Sequence, residues 1–108
     1  MCKRTAEHRS PHFVLKTLAQ RGRLHGYGIV LHIEQASDAL LQVEEGSLYP
    51  ALHRMEQNGW IASEWAQSER GRRAKYYKLT TAGRKRLKQA EQDFEGLVKG
   101  VRAVLRYV

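Results

Sequence analysis

Nine of the chain's 19 Lys and Arg residues fall between Arg70 and Ala90, and no acid interrupts them. The cluster is tightest at Arg70, Arg72, Arg73 and Lys75, gathered around Gly71. Glycine tolerates positive φ, so the backbone can turn there and bring the cations close together. A surface that serves solubility alone mixes both signs. A one-signed cluster gains instead by releasing counterions from a row of phosphates, and arginine on a flexible turn can enter a minor groove. A second set of groups lies at helical spacing. Ser47, Tyr49, Pro50, His53, Arg54 and Gln57 share one side of a segment whose other side, Leu48, Leu52 and Met55, steps by four and three. Such polar groups suit base edges and phosphates in a major groove. Ser47 with the first-turn N–H groups could hold a phosphate. Tyr49 could donate to a phosphate or touch a thymine methyl, and Arg54 could reach a phosphate or a guanine. Taken alone, this helix reads equally well as an ordinary amphipathic helix with a solvated face.

The whole chain agrees in sign. Its formal net charge is +8 and its pI about 10.0. A pI that high in one small domain is the footprint of a polyanion, with nucleic acid first and an anionic membrane surface second. With 108 residues, 42% of them hydrophobic, the chain makes one folded domain of a size that often oligomerises. No apolar run approaches the roughly 20 residues that span a bilayer, and no signal peptide is visible. Cys2 is the one cysteine, so no internal disulfide forms. A soluble cytoplasmic protein is expected.

Other chemistries find little support. His8 and His12 stand four apart, but Pro11 argues against a helix across them and no further ligand has metal spacing. No metal and no cofactor are expected. His25 and His32 are scattered. No serine or cysteine has a placed base, and Gly26-Tyr27-Gly28 lacks the strand and further glycine of a dinucleotide site. The chain does not read as an enzyme.

The elements that must position the two basic surfaces follow from pattern. Residues 1–10 read as a loose arm. A first helix spans about 11–21, with Ser10 as N-cap, Pro11 in the first turn and Gly22 as the stop. A second spans about 27–36 and ends at Ser37-Asp38. Residues 39–45 are ambiguous, with Leu40, Leu41 and Val43 candidates to pack under a loop. The third helix spans 47–58, with Ser47 as N-cap and Pro50 in the first turn, where its missing N–H breaks no bond. Two alternating runs follow, with Ile61, Ser63 and Trp65 on one face of the first and Tyr77 and Leu79 on one face of the second. They make a β-hairpin with a long basic tip, and Trp60 and Trp65 sit at core-like positions. Thr80 or Thr81 caps a last helix of about 26 residues, roughly 40 Å long. Its residues Leu87, Ala90, Phe94, Leu97, Val101, Val104 and Val108 repeat as a heptad seam. Gly96 and Gly100, one turn apart, could let a partner backbone approach closely. The expected fold is mainly α with a small β-hairpin: a winged helix-turn-helix over residues 1–80 and a long C-terminal dimerisation helix over 81–108. Phe13, Leu87, Phe94, Leu97, Val101, Val104 and Leu105 are the expected dimer interface.

Three stretches carry a family resemblance. Glu45-Gly46-Ser47-Leu48-Tyr49-Pro50-Ala51-Leu52-His53-Arg54-Met55-Glu56, continued by Gly59-Trp60-Ile61, resembles the recognition-helix signature of PadR-like regulators. Glu69-Arg70-Gly71-Arg72-Arg73-Ala74-Lys75-Tyr76-Tyr77-Lys78-Leu79-Thr80-Thr81-Ala82-Gly83 resembles that family's wing and the start of its last helix. Leu24-His25-Gly26-Tyr27-Gly28-Ile29 is similar to its entry to helix 2. The resemblance runs from about residue 12 to 90 and points to the short branch of the family. It implies a homodimeric cytoplasmic repressor on palindromic DNA, with the third helix in the major groove and the wing on the backbone or minor groove. By position, Ser47, Tyr49 and Arg54 become helix contacts and Arg70, Arg72, Arg73 and Lys75 wing contacts. Tyr76 and Tyr77 pack the wing onto the body, and Tyr27 either packs or touches a phosphate. Ser37 to Glu44 lacks the Gly-Pro-Trp character many relatives show. The last helix has no tryptophan, which puts a drug-sensing role in doubt and leaves any small-molecule inducer unknown. Two readings stay beside sequence-specific repression: nonspecific nucleic-acid binding, and a protein-interaction module facing an acidic partner.

Overall fold

Among the described residues, apolar side chains recurring every three or four positions build four helices around one core. The computed structural model describes residues 4–5 and 9–105. Cys2, His8, Tyr107 and Val108 therefore lie outside the described residues. The helices are α1 (Ser10–Arg21), α2 (Gly26–Ala36), α3 (Glu45–Gln57) and α4 (Thr81–Leu105). The strands are β1 (Arg4–Thr5), β2 (Arg23–His25), β3 (Leu41–Gln42), β4 (Ile61–Gln67) and β5 (Arg73–Leu79). Val14, Leu15 and Leu18 of α1 meet Ile29, Val30 and Ile33 of α2 and Leu48, Leu52 and Met55 of α3. Ile61, Tyr77 and Leu87 close the core from the sheet and from α4. Each such side chain contributes about 1.5–3 kcal/mol by leaving water.

The sheet exceeds the expected hairpin. β4 and β5 pair antiparallel from Ile61↔Leu79 out to Gln67↔Arg73. β2 adds on the other edge of β5, from Arg23↔Lys78 to His25↔Tyr76. The arm is not wholly loose either, because Arg4–Thr5 pairs in parallel with Leu41–Gln42. Of the ambiguous stretch, Val43 is core and Leu41 packs against it, whereas Leu40 is exposed.

Two caps differ from expectation, and that of α2 is one the sequence pattern does not indicate. Ser10 is the first buried residue of α1 rather than its cap, and Arg9 holds the cap position without a side-chain bond. The α2 cap is His25, whose Nδ1 accepts the Gly28 N–H at 2.9 Å. The third helix begins two residues early, with Glu44 at the cap and Glu45 and Gly46 ahead of Ser47. Ser47 is thus not an N-cap. Pro50 is then interior, so the carbonyl of Gly46 receives no bond from residue 50.

Thr80 caps α4. Its Oγ1 accepts the Gly83 N–H at 3.0 Å and donates to the Gly59 carbonyl at 2.6 Å. Gly83 lies so close to the chain after α3 that a Cβ would stand 1.9 Å from the Trp60 carbonyl oxygen. The start of α4 is thereby locked to the α3–β4 turn. From that lock α4 runs on, its 25 residues spanning about 38 Å, and Gly83 and Leu87 near its start are its buried residues.

Candidate nucleic-acid interface

At 100° per residue, α3 sorts its side chains into three bands. Leu48, Ala51, Leu52 and Met55 are buried in the core. Tyr49 and Glu56, two turns apart, flank the outer face on one side, and Ser47 and Arg54 flank it on the other. Pro50, His53 and Gln57 lie between them and are exposed, as is Arg54. Tyr49 is 46% exposed. Its ring rests on the start of α2, where a Cβ on Gly26 would come within 2.6 Å of it. That partial desolvation, with Glu45 nearby, pushes the Tyr49 phenol above its usual range. It stays a neutral donor.

The helix N-terminus departs from expectation. The Ser47 N–H donates to the Glu44 carbonyl at 3.1 Å, and Ser47 is half-buried. Glu44 holds the cap and Glu45 the first turn. Carboxylates there satisfy the helix dipole and repel a phosphate. The Ser47 N–H is thus taken up within the helix, and Ser47 does not stand at the helix's free end as the sequence suggests.

The ribbon of β4 and β5 carries the arginines. Its turn is closed by its own bonds: Ser68 N–H to the Arg72 carbonyl at 2.6 Å, Arg72 N–H to Ser68 Oγ at 3.2 Å, and Gly71 N–H to the Ser68 carbonyl at 2.9 Å. Gly71 holds φ +78°, as its place among the cations requires. Arg70, Arg72 and Arg73 are exposed and form no ion pair among the described residues. Lys75 differs. Its Nζ lies 3.4 Å from Glu56 Oε1 and over the Tyr77 ring at 5.6 Å. It joins the ribbon to α3 rather than projecting outward.

Glu56 is the hinge pin of this arrangement. Its carboxylate accepts the Ser63 hydroxyl from β4 and pairs with Lys75 from β5. The Ser63 bond above all, then Lys75, holds its carboxyl below the usual range against the opposing effect of burial. α3 and the basic ribbon are thus fixed to each other. Tyr77 is buried, and Tyr76 packs on His25 at 5.5 Å beneath the Arg23 guanidinium at 4.6 Å. Both tyrosines seat the ribbon on the body. Tyr27 is exposed at the start of α2.

Trp65 overturns an expectation. The alternation puts it at a core-like position, yet it is 59% exposed, with Arg73 over its ring at 5.5 Å. Trp65 does share a face with Ile61 and Ser63, but β4 outruns the body, so that face has no core to meet at Trp65. Trp60 is half-buried under Arg86 at 5.0 Å.

The far surface is the outer half of α4. Phe94, Leu97, Val101, Val104 and Leu105 are exposed, Val104 at 81%. Gly96 and Gly100 join this apolar stripe, and a Cβ on either would meet open space. Leu87 differs from the expected interface set because it is buried in the chain's own core. Phe13 is half-buried against the same core and stacks on His12 at 6.2 Å. Phe94 touches His12 edge-on at 5.9 Å, and Lys16 pairs with Glu91 at 3.3 Å, so α1 braces the middle of α4. Among the described residues no helix is long and apolar enough to cross a membrane, and no three candidate ligands gather for a metal.

The chain is similar to known proteins in sequence and in fold. Residues 14–89 match the family described as transcriptional regulator PadR-like. A transcriptional regulator of Mycobacterium tuberculosis is 38% identical over 60 residues, 56% of this chain and 55% of that protein. The aligned stretch thus spans about half of that relative's length. A transcriptional regulator from Clostridium thermocellum superposes with a TM-score of 0.81 at 30% identity, covering 91% of this chain and 94% of the other. A PadR-like transcription factor from Bacteroides fragilis gives 0.73 at 28% identity, covering 91% of each.

Proposed function

Because the chain belongs to the PadR-like family of transcriptional regulators, we propose that it is a cytoplasmic repressor that grips a palindromic operator as a homodimer. In this reading residues 1–80 bind DNA and the outer part of α4 pairs two copies. Each copy lays the His53–Gln57 band of α3 in a major groove, flanked by Tyr49 and Arg54. Arg70, Arg72 and Arg73 reach the adjacent backbone or minor groove. Pro50 lines the groove-facing side without donating a bond. Ser47, half-buried beside Arg54, supports that edge, and Lys75 holds the ribbon in place.

The observation that carries the reading is the Glu56 junction. It ties an exposed polar helix face to a ribbon of unpaired arginines, so one duplex can meet both. The bare apolar stripe of α4 supports pairing, since five large side chains in a row are costly to leave in water. Phe94, Leu97, Val101, Val104 and Leu105 form the seam, with Phe13 at its inner margin.

Nonspecific nucleic-acid binding is the second reading, and the exposed Trp65 beside Arg73 favours it, because single-strand binders interleave aromatics with cations. Gel shifts with the DNA upstream of the chain's own gene, against random duplex and an RNA competitor, separate the two. Repression requires clear preference for the upstream DNA. Equal affinity for random duplex contradicts it, and displacement by RNA supports the second reading.

A further inference from the structure

We propose that Trp65 and Arg73 form an aromatic–guanidinium clasp for one sugar–phosphate backbone of the bound duplex. The proposal rests on the duplex-binding reading above and adds to it a contact residue that the basic cluster alone does not reveal.

Position comes first. Trp65 pairs directly with Lys75, and Ser63 with Tyr77. Side chains two apart on a strand share a face. Ser63 and Lys75 both reach Glu56, so their face is the one turned toward α3. Trp65 and Arg73 lie on that same face, farther out, where the body ends. They therefore look into the corner between the ribbon and α3.

Chemistry comes second. Trp65 supports no core, being 59% exposed. One side of its indole is taken by the Arg73 guanidinium at 5.5 Å. Stacking fixes a guanidinium through its face and leaves its in-plane N–H groups able to donate. Arg73 has no carboxylate partner among the described residues. A phosphate accepts those donors, and the apolar deoxyribose beside it fits the indole. The occupant is thus matched in charge to the arginines and in polarity to the ring.

The full-length chain and a short random-sequence duplex test this. Trp60 is half-buried, so the exposed indole dominates any change in emission on binding. Duplex should quench and shift the emission of the unaltered chain, and Trp65→Phe should abolish that response. Trp65→Ala should weaken duplex binding about fivefold while melting as the unaltered chain does, and Trp65→Phe should lose less. Tight binding with unchanged emission, or Trp65→Ala binding as the unaltered chain does, overturns the clasp and leaves the functional reading standing. Single strands that bind as tightly and quench as strongly assign the site to unpaired bases and also overturn it. Absence of any duplex binding by the unaltered chain overturns both proposals.

Discussion

α3 and the β4–β5 ribbon present polar groups to the same side, but they are held by different forces. α3 is fixed from behind: Leu48 and Leu52 are fully buried, so core packing sets where Tyr49, His53 and Arg54 point. The ribbon turn has no core behind it. Its shape comes from bonds within residues 67–72 and from Gly71. A surface anchored by a core can place side chains precisely enough to discriminate bases. A surface anchored only at its base suits contacts that depend on charge and reach. Glu56 is where the two meet.

The contrast breaks most severely from the core side. Leu52→Ala should cost about 2–5 kcal/mol of stability in urea denaturation, and DNA binding should fall with the folded fraction. A loss under about 1 kcal/mol would mean that α3 is not held by packing.

Next come the ribbon cations. Arg72→Ala with Arg73→Ala should weaken binding to every duplex and reduce the salt slope by about two units. An unchanged slope would show that the ribbon touches no phosphate. Arg54→Ala sharpens the other side of the comparison. It should cost about 1–3 kcal/mol at one base position if it reads guanine. Uniform loss over all sequences would make Arg54 a phosphate contact instead.

The smallest effect concerns the junction. The folded Glu56 carboxyl titrates below its unfolded value, chiefly because Ser63 donates to it. Its contribution is therefore complete above the unfolded value and is lost as pH falls through the folded one. Glu56→Gln should flatten that acid-side loss by less than about 1 kcal/mol, because the side chain is about one-third exposed. Identical acid unfolding of both forms would remove Glu56 from the ribbon's anchorage.

Where periodicity and packing agree, the sequence was a sufficient guide. The Leu48–Leu52–Met55 stripe, the two alternating runs and the repeat along α4 each require one element, and each element is present. What escaped has physical causes. β2 has only three residues, too few for a pattern, and its pairing depends on an edge of β5 that exists only in the fold. His25 is an uncommon cap, recognisable only once Gly28 turns its N–H toward the ring. Ser47 with Pro50 imitates a helix start, but α3 begins earlier because the Glu44 carbonyl already accepts from Ser47 and Leu48. Trp65 shows that alternation gives a face and not its depth. The basic cluster itself was plain, yet which cation serves as a tie, Lys75, and which project, Arg70 and Arg72, depended on where Glu56 lands.

Hydroxyl-radical footprinting on the DNA upstream of the gene, with the unaltered chain and with Arg72→Ala/Arg73→Ala, tests most directly whether helix and ribbon engage one duplex together. The unaltered chain should protect two half-sites about one helical turn apart, each with a flanking patch, and the variant should lose the flanks while keeping the centres. Flanking protection that survives in the variant would contradict simultaneous engagement.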